Sequence, residues 1–459
     1  MHGKVKFHSA LSVVVANMIG TGVFTSLGFQ IAGIHDYATL VFLWILGGVI
    51  SLCGAFCYAE LGAAMPQSGG EYNYLSKIYH PSIGFLSGWV SATIGFAAPI
   101  ALAASALSKY TGTIFPTFST ALPGTLINMG FLGSVDDHVL YAKLLGAAII
   151  LIVTFFQSIN HETSGTFQSV VTGLKFLLIV VFIICGFLLA PAVPGISFMP
   201  TSATPASIFS ISFVTSMFFV AFSYSGWNAA AYIAGEIENP KKNIPLSLLA
   251  GTSIVLLLYV LINVVFLYVT PASELTLKLE VGFEAGKHIF GLSGSRIVSG
   301  IISLLLISTI SSMVFAGPRV ISSIGNDFSL FKIAARTNKT GIPVIAIWIQ
   351  TAIALVLLFS GSFEFILNCT TFVLILFSTI TVAGVIVLRV KNPNLERPYR
   401  TWGYPVTPII FIAVNMWFLV YAVIWKQKES LIGLGIVALG LIVYFLAKYL
   451  SKNEEIKSL

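Results

Sequence analysis

No residue between Lys175 and Glu236 carries a formal charge. A run of that length has no wetted face, and it is too long for one membrane crossing. Pro191, Pro194, Pro200 and Pro205 mark a turn between two. A spanning helix needs about 20 apolar residues, because the bilayer core is about 30 Å thick and a helix rises about 1.5 Å per residue. Charge-poor windows of that size recur near 8–32, 38–62, 82–108, 142–158, 168–190, 207–234, 246–269, 297–321, 343–360, 365–388, 405–425 and 430–450. They predict an all-α integral membrane protein of about 12 transmembrane helices.

Composition leads the same way. Only 9% of the 459 residues are charged, against about 25% in a soluble domain, so lipid must cover what water cannot. Length alone would imply several soluble domains; the hydrophobic fraction of 57% makes 1–459 a single polytopic membrane domain. Lys4 and Lys6 precede the first window as they would in a signal peptide, but the apolar stretch is too long and lacks a small-residue cleavage site. It is read as a retained span.

The net charge of +7 raises the question of nucleic acid, and its distribution answers it. The connections that include Lys241, Lys242, Arg389, Lys391, Arg397 and Arg400 carry many more basic residues than those with Lys109, Lys143, Lys278, Lys287, Arg296, Lys426 and Lys428. This bias predicts a multi-pass protein of the cell membrane with both termini cytoplasmic, and no nucleic-acid partner. Cys53, Cys57, Cys185 and Cys369 lie inside apolar runs without a CxxC pair, as packed thiols do. No GxSxG, Walker loop, HExxH or paired-carboxylate pattern occurs, so neither an enzyme nor a cofactor or metal is expected.

Two windows are interrupted where hydrocarbon demands intact backbone hydrogen bonds. The first contains Asn17-Met18-Ile19-Gly20-Thr21-Gly22-Val23-Phe24, and the sixth Phe222-Ser223-Tyr224-Ser225-Gly226-Trp227-Asn228. Either alone could be close helix packing through small residues. Together, five spans apart, they point to inverted repeats with a midplane binding site. Freed amide N–H groups at a half-helix N-terminus can hold a carboxylate, and freed carbonyls an ammonium. A zwitterionic amino acid fits without any charged side chain.

The sequence resembles the amino acid–polyamine–organocation superfamily, and within it the L-type amino acid transporters and their bacterial relatives. The resemblance rests on Ile19 through Phe24, on Tyr58-Ala59-Glu60-Leu61 with Pro66-x-Ser68-Gly69-Gly70-x-Tyr72, and on Phe222 through Asn228. It also rests on Gly235 through Pro240 with Asn243-Ile244-Pro245, and on Arg397-Pro398-Tyr399-Arg400 with Gly403-Tyr404-Pro405. It implies two inverted five-helix repeats, about 8–190 and 207–388, with trailing helices over 405–450, and alternating access around the first and sixth helices. It implies a substrate carboxylate at the N–H groups of Thr21 and Gly22, beside Ile19 and Gly20. The α-amino group would meet carbonyls at Met18 and around Phe222, Ser223 and Ser225, beside Gly226. Phe222 would cap the substrate from outside, and Trp227 and Asn228 would belong to the gate.

Lys175 is the most informative single residue. A charge at a helix centre costs about 2.5–3.5 kcal/mol on insertion scales, and Lys175 sits about seven residues, roughly 10 Å, into its span. Snorkelling to the interface competes with a functional reading. The resemblance, through Gln168-x-x-x-Thr172-x-x-Lys175, implies that the ammonium occupies the place of a sodium ion. There it would bond first-helix carbonyls and hydroxyls of the eighth helix, where Ser308, Ser311 and Ser312 share one face. Glu60 reads as an interfacial charge, Glu236, Glu238, Lys241 and Lys242 as a solvated turn, Glu364 as a wetted residue, and His161, Arg397 and Arg400 as loop groups.

No Asp, Glu, Lys or Arg falls in the cores of the first, third, sixth, eighth and tenth helices. That favours small neutral L-amino acids, carried by sodium-independent exchange or uniport. Proton symport and transport of a cationic amino acid or polyamine are the alternatives, and a receptor or channel the rival class. The resemblance brings a heavy-chain partner linked through a cysteine outside the third helix. Thr111 to Val139 contains no cysteine, so no covalent heavy chain is expected. The partners expected are the amino acid and the lipid bilayer.

Overall fold

A computed structural model of the chain describes residues 5–115, 126–128, 134–159, 162–339 and 341–457. Among these, ten helices are long and apolar enough to cross a membrane, and two shorter apolar helices, Ile211–Tyr224 and Val344–Ser360, complete the set expected from hydropathy. Twelve crossings would put the first and last described residues on one side, here called the terminal side. A two-stranded antiparallel hairpin, Leu126–Asn128 with Ser134–Asp136, is the only sheet among the described residues. His161 and the side chain of Gln168 lie outside them.

The first span is two helices, Phe7–Met18 and Gly22–Ile31, and the sixth is Ile211–Tyr224 followed by the short helix Ala229–Tyr232. Tyr37–Ala64 is the second span, capped at its start by the Asp36 side chain accepting from the Thr39 N–H. The third runs from Pro81 to Ile114, and its 91–95 segment widens to a π-helix. Such segments gather at functional sites. The seventh span, Pro240–Val269, packs along the second, and the eighth packs along the third.

The eighth helix differs most from expectation. It spans Val281–Asp327 rather than starting near residue 297, and bends at Gly291, whose φ of 70° suits glycine. Glu284, Lys287, His288 and Arg296 made its first part unreadable as apolar. A short helix, Glu71–Ile78, also fills the connection between the second and third spans. Apolar side chains such as Leu188 and Phe156 face outward, as lipid contact requires.

Polar contacts join several elements on the terminal side. Val5 N–H donates to Glu236 O at 2.8 Å and Glu238 N–H to Val5 O at 2.9 Å. Arg319 Nε donates to Glu236 Oε1 at 3.0 Å. Two expectations are corrected here. Glu60 is not an interfacial charge but is 1% exposed. It accepts from Arg389 Nε at 2.9 Å and Nη2 at 2.6 Å, and from Thr401 N–H at 2.6 Å. Arg397, expected to be a loop group, has its Nε 3.4 Å from Glu60 Oε1. A fork-shaped donor and a carboxylate satisfy each other where neither could stay unpaired. Lys241 pairs with Glu396 at the surface, Glu364 is half-exposed beside Lys426, and Arg400 is exposed.

Candidate functional site: two broken helices and a buried lysine

The first helix stops at Met18 and restarts at Gly22. Gly20 N–H turns back to Met18 O at 2.8 Å, while among the described residues no backbone carbonyl accepts from the N–H of Thr21 or Gly22. These are the orphan donors of a helix start. The sixth helix stops at Tyr224. Ser225 N–H and its hydroxyl both donate to Phe222 O, at 3.0 and 2.6 Å, and Gly226 takes φ 94°.

The two breaks are keyed into each other. A Cβ on Gly22 would lie 2.6 Å from Ser223 Cα, and one on Gly226 would lie 2.8 Å from the Asn17 carbonyl carbon. Each glycine of one break therefore abuts the backbone of the other. Ser223 also meets Ser26 Oγ at 3.2 Å. Away from the terminal side, Phe29 stacks on Phe219 and on Phe363, with centroids at 5.1 and 6.2 Å. Gly22→Val should abolish amino acid transport while the protein still inserts. The sequence offers crowding of a ligand carboxylate as the reason; the structure adds a nearer one, collision with Ser223. Transport at the wild-type rate would show that the helices can separate at no cost.

Tyr259 of the seventh span joins the breaks, its hydroxyl lying 2.5 Å from Met18 O and 3.2 Å from Ser223 O. Nothing marks it in the sequence, where it is one aromatic in an apolar span. Lys175 is 0% exposed, which excludes snorkelling. Its Nζ donates to Ile19 O at 3.1 Å and to Thr309 Oγ1 at 2.9 Å. The first-helix carbonyl and an eighth-helix hydroxyl were both expected, but the hydroxyl is that of Thr309. Ser308 Oγ has no partner among the described residues, Ser311 Oγ accepts from Gln157, and Ser312 donates to Thr309 O.

A cavity of about 100 Å³ opens beside the sixth-helix break. Phe222, Ser225, Gly226, Trp227 and Asn228 line it, whereas Met18 through Gly22 and Ser223 do not. Ser91, Gly95 and Phe96 of the third span and Thr371 and Ser378 of the tenth add lining that sequence reasoning left open. So does Glu71, 5% exposed. Tyr58 OH donates to its Oε1 at 2.5 Å, Asn228 Nδ2 to the same atom at 3.1 Å, and Ser87 Oγ to Oε2 at 3.3 Å. Burial pushes the Glu71 carboxyl above the usual carboxylate range, against the opposing pull of these three hydrogen bonds.

The family model described as "Amino acid permease" matches residues 5–447. The chain belongs to the amino acid permease family. The permease is 27% identical over 447 residues to the b(0,+)-type amino acid transporter 1 of Mus musculus, covering 96% of this chain and 87% of that one. It is 27% identical over 452 residues to the Large neutral amino acids transporter small subunit 2 of Oryctolagus cuniculus, covering 96% and 79%. The Asc-type amino acid transporter 1 of Mus musculus is 25% identical over 448 residues, covering 96% and 80%. The permease is thus an amino acid transporter of the amino acid–polyamine–organocation superfamily, a multi-pass membrane protein and not an enzyme.

Proposed function

We propose that the permease carries small neutral L-amino acids across the cell membrane by alternating access, without sodium. The observation that carries this reading is the pair of interlocked helix breaks, with the orphan N–H groups of Thr21 and Gly22 on one of them. The substrate carboxylate meets those donors, which the half-helix dipole also favours. The ammonium takes the place that the Tyr259 hydroxyl holds at Met18 O and Ser223 O. Residues 8–190 and 207–388 act as inverted repeats, and both termini face the cytoplasm.

Small size is supported by the small polar side chains at the breaks, Thr21, Ser223 and Ser225. Neutrality is supported by charge-free helix cores and by the engagement of Glu71 with three donors. One relative's name specifies large neutral amino acids. The name also makes that relative a small subunit; here the described cysteines are all free and lie in spans, so no covalent heavy-chain partner is part of the proposal.

Sodium independence rests on Lys175, since a second cation beside its ammonium would be repelled. Uptake of labelled alanine into proteoliposomes should be equal in sodium and choline media at fixed pH. A strong sodium requirement would remove the role assigned to Lys175. Exchange or uniport is the simplest driving mode. A specific observation, the cavity-lining carboxylate of Glu71, favours a second reading in which protons drive uptake.

A further inference from the structure

Among the described residues Glu71 is the one carboxylate that lines the cavity, and none of the groups acting on it is positively charged. Its donors are two hydroxyls and an amide, one each from the second, third and sixth spans. The titratable groups that face it are the phenols of Tyr58, Tyr74 and Tyr232. Lys77, on the same short helix, points away and donates to Gln67. Asp327, an acid tied to this segment, is engaged by Tyr72 OH. Glu60, by contrast, is held by two guanidinium groups. A buried acid without a counter-ion keeps its charge only through hydrogen bonds, and losing one favours proton uptake.

One of those bonds comes from a part that must move. Asn228 lies in the sixth-helix break, at the head of the short helix Ala229–Tyr232. Tyr58 and Ser87 belong to packed, continuous stretches of the second and third spans. We propose that Glu71 is a proton-binding site coupled to alternating access, ionised while Asn228 is docked on it and protonated when the sixth-helix break withdraws.

The coupling follows from reciprocity. If docking of Asn228 lowers proton affinity, a bound proton must weaken docking by the same factor. Acidity therefore favours the state in which the break has withdrawn. Because Glu71 lines the cavity itself, it meets whichever solution the cavity opens to. A proton taken from the outer solution by the carboxylate is released to the inner solution when the cavity opens there, and nothing else is consumed.

This inference rests on the proposed alternating-access carrier, and one preparation tests both. Purified permease in liposomes is given labelled alanine, first in counterflow without a pH gradient, then with the outside one pH unit more acid. Proton symport at one proton per alanine predicts up to about tenfold greater accumulation with the gradient. It also predicts acidification of the lumen, read by a trapped dye, when alanine is added. In Glu71→Gln, gradient-driven uptake divided by the same variant's counterflow should fall to that of a gradient-free control. Glu71→Asp should restore a gradient response. Absence of counterflow in the wild type would overturn the carrier reading itself. Counterflow with no gradient response, no lumen acidification, or an undiminished ratio in Glu71→Gln would overturn the role of Glu71. If Glu71→Gln yields no folded protein, lumen acidification by the wild type and the response of Glu71→Asp decide the matter.

Discussion

Lys175→Ala should insert and fold yet transport poorly, with apparent substrate affinity shifted more than expression. The substitution removes the donor that ties the fifth span to the opened first helix. It leaves Ile19 O, and the Thr309 hydroxyl that Lys175 also contacts, without that partner. Thr309 Oγ1 can still donate to Ile19 O, 3.3 Å away, and to Leu305 O, so what is lost is the stronger, charged donor, at a cost of about 1–3 kcal/mol. Differences of that size shift a two-state equilibrium by roughly 5- to 150-fold. The opposing expectation, relief from removing a charge in lipid, would apply if the amine merely lay along the interface. With the side chain fully buried, water cannot replace the lost donor without entering the bundle. Rate and affinity measured in reconstituted protein decide between them. Wild-type values for both would return Lys175 to a packing role.

Glu60→Ala should lower thermal stability more than any other single change considered. Removing this carboxylate leaves Arg389 and Arg397 close together with no anion between them, and strands the Thr401 N–H. Breaking a buried pair from one side typically costs about 3–5 kcal/mol, because the remaining charge is left uncompensated. Arg389 also lies over the Tyr404 ring, 3.7 Å from its centroid, so it is not free to swing out to water. The change should appear as a large drop in the melting midpoint of detergent-solubilised protein. The double variant Glu60→Ala/Arg389→Ala should be less damaged than the sum of the single variants. An unchanged midpoint in Glu60→Ala would mean that the guanidinium groups find water or lipid phosphate as readily as they find Glu60.

Most of the helical frame was readable because the bilayer imposes its thickness on composition. Windows without charge read as spans, and Gly20 with Gly22 in one and Gly226 among small hydroxyl residues in another together pointed to broken helices. The same logic hid the first part of the eighth helix, where Glu284 and Lys287 lie before the Gly291 bend and Arg296 shortly after it. It hid Glu71 too. In the Ser68-Gly69-Gly70-x-Tyr72 pattern its position is the variable one, and a single acid in a polar connection carries no mark of burial. The partner of Lys175 was placed on the correct helix but on the wrong hydroxyl. Adjacent helical residues differ by about 100° in direction, and only the actual crossing of two helices selects between them. Glu60 and Arg397 are far apart in sequence, so their pairing was invisible until the second and tenth spans were brought side by side.

The keyed breaks have a kinetic consequence. Gly22 rests against Ser223 and Gly226 against Asn17, so neither half-helix can slide sideways without displacing the other. The first and sixth spans then share one degree of freedom instead of two. Independent gates would sometimes open together and let solutes run down their gradients unaccompanied. In the carrier proposed above, a single shared coordinate would deny that leak state, because opening toward one solution would be the same motion as closing toward the other.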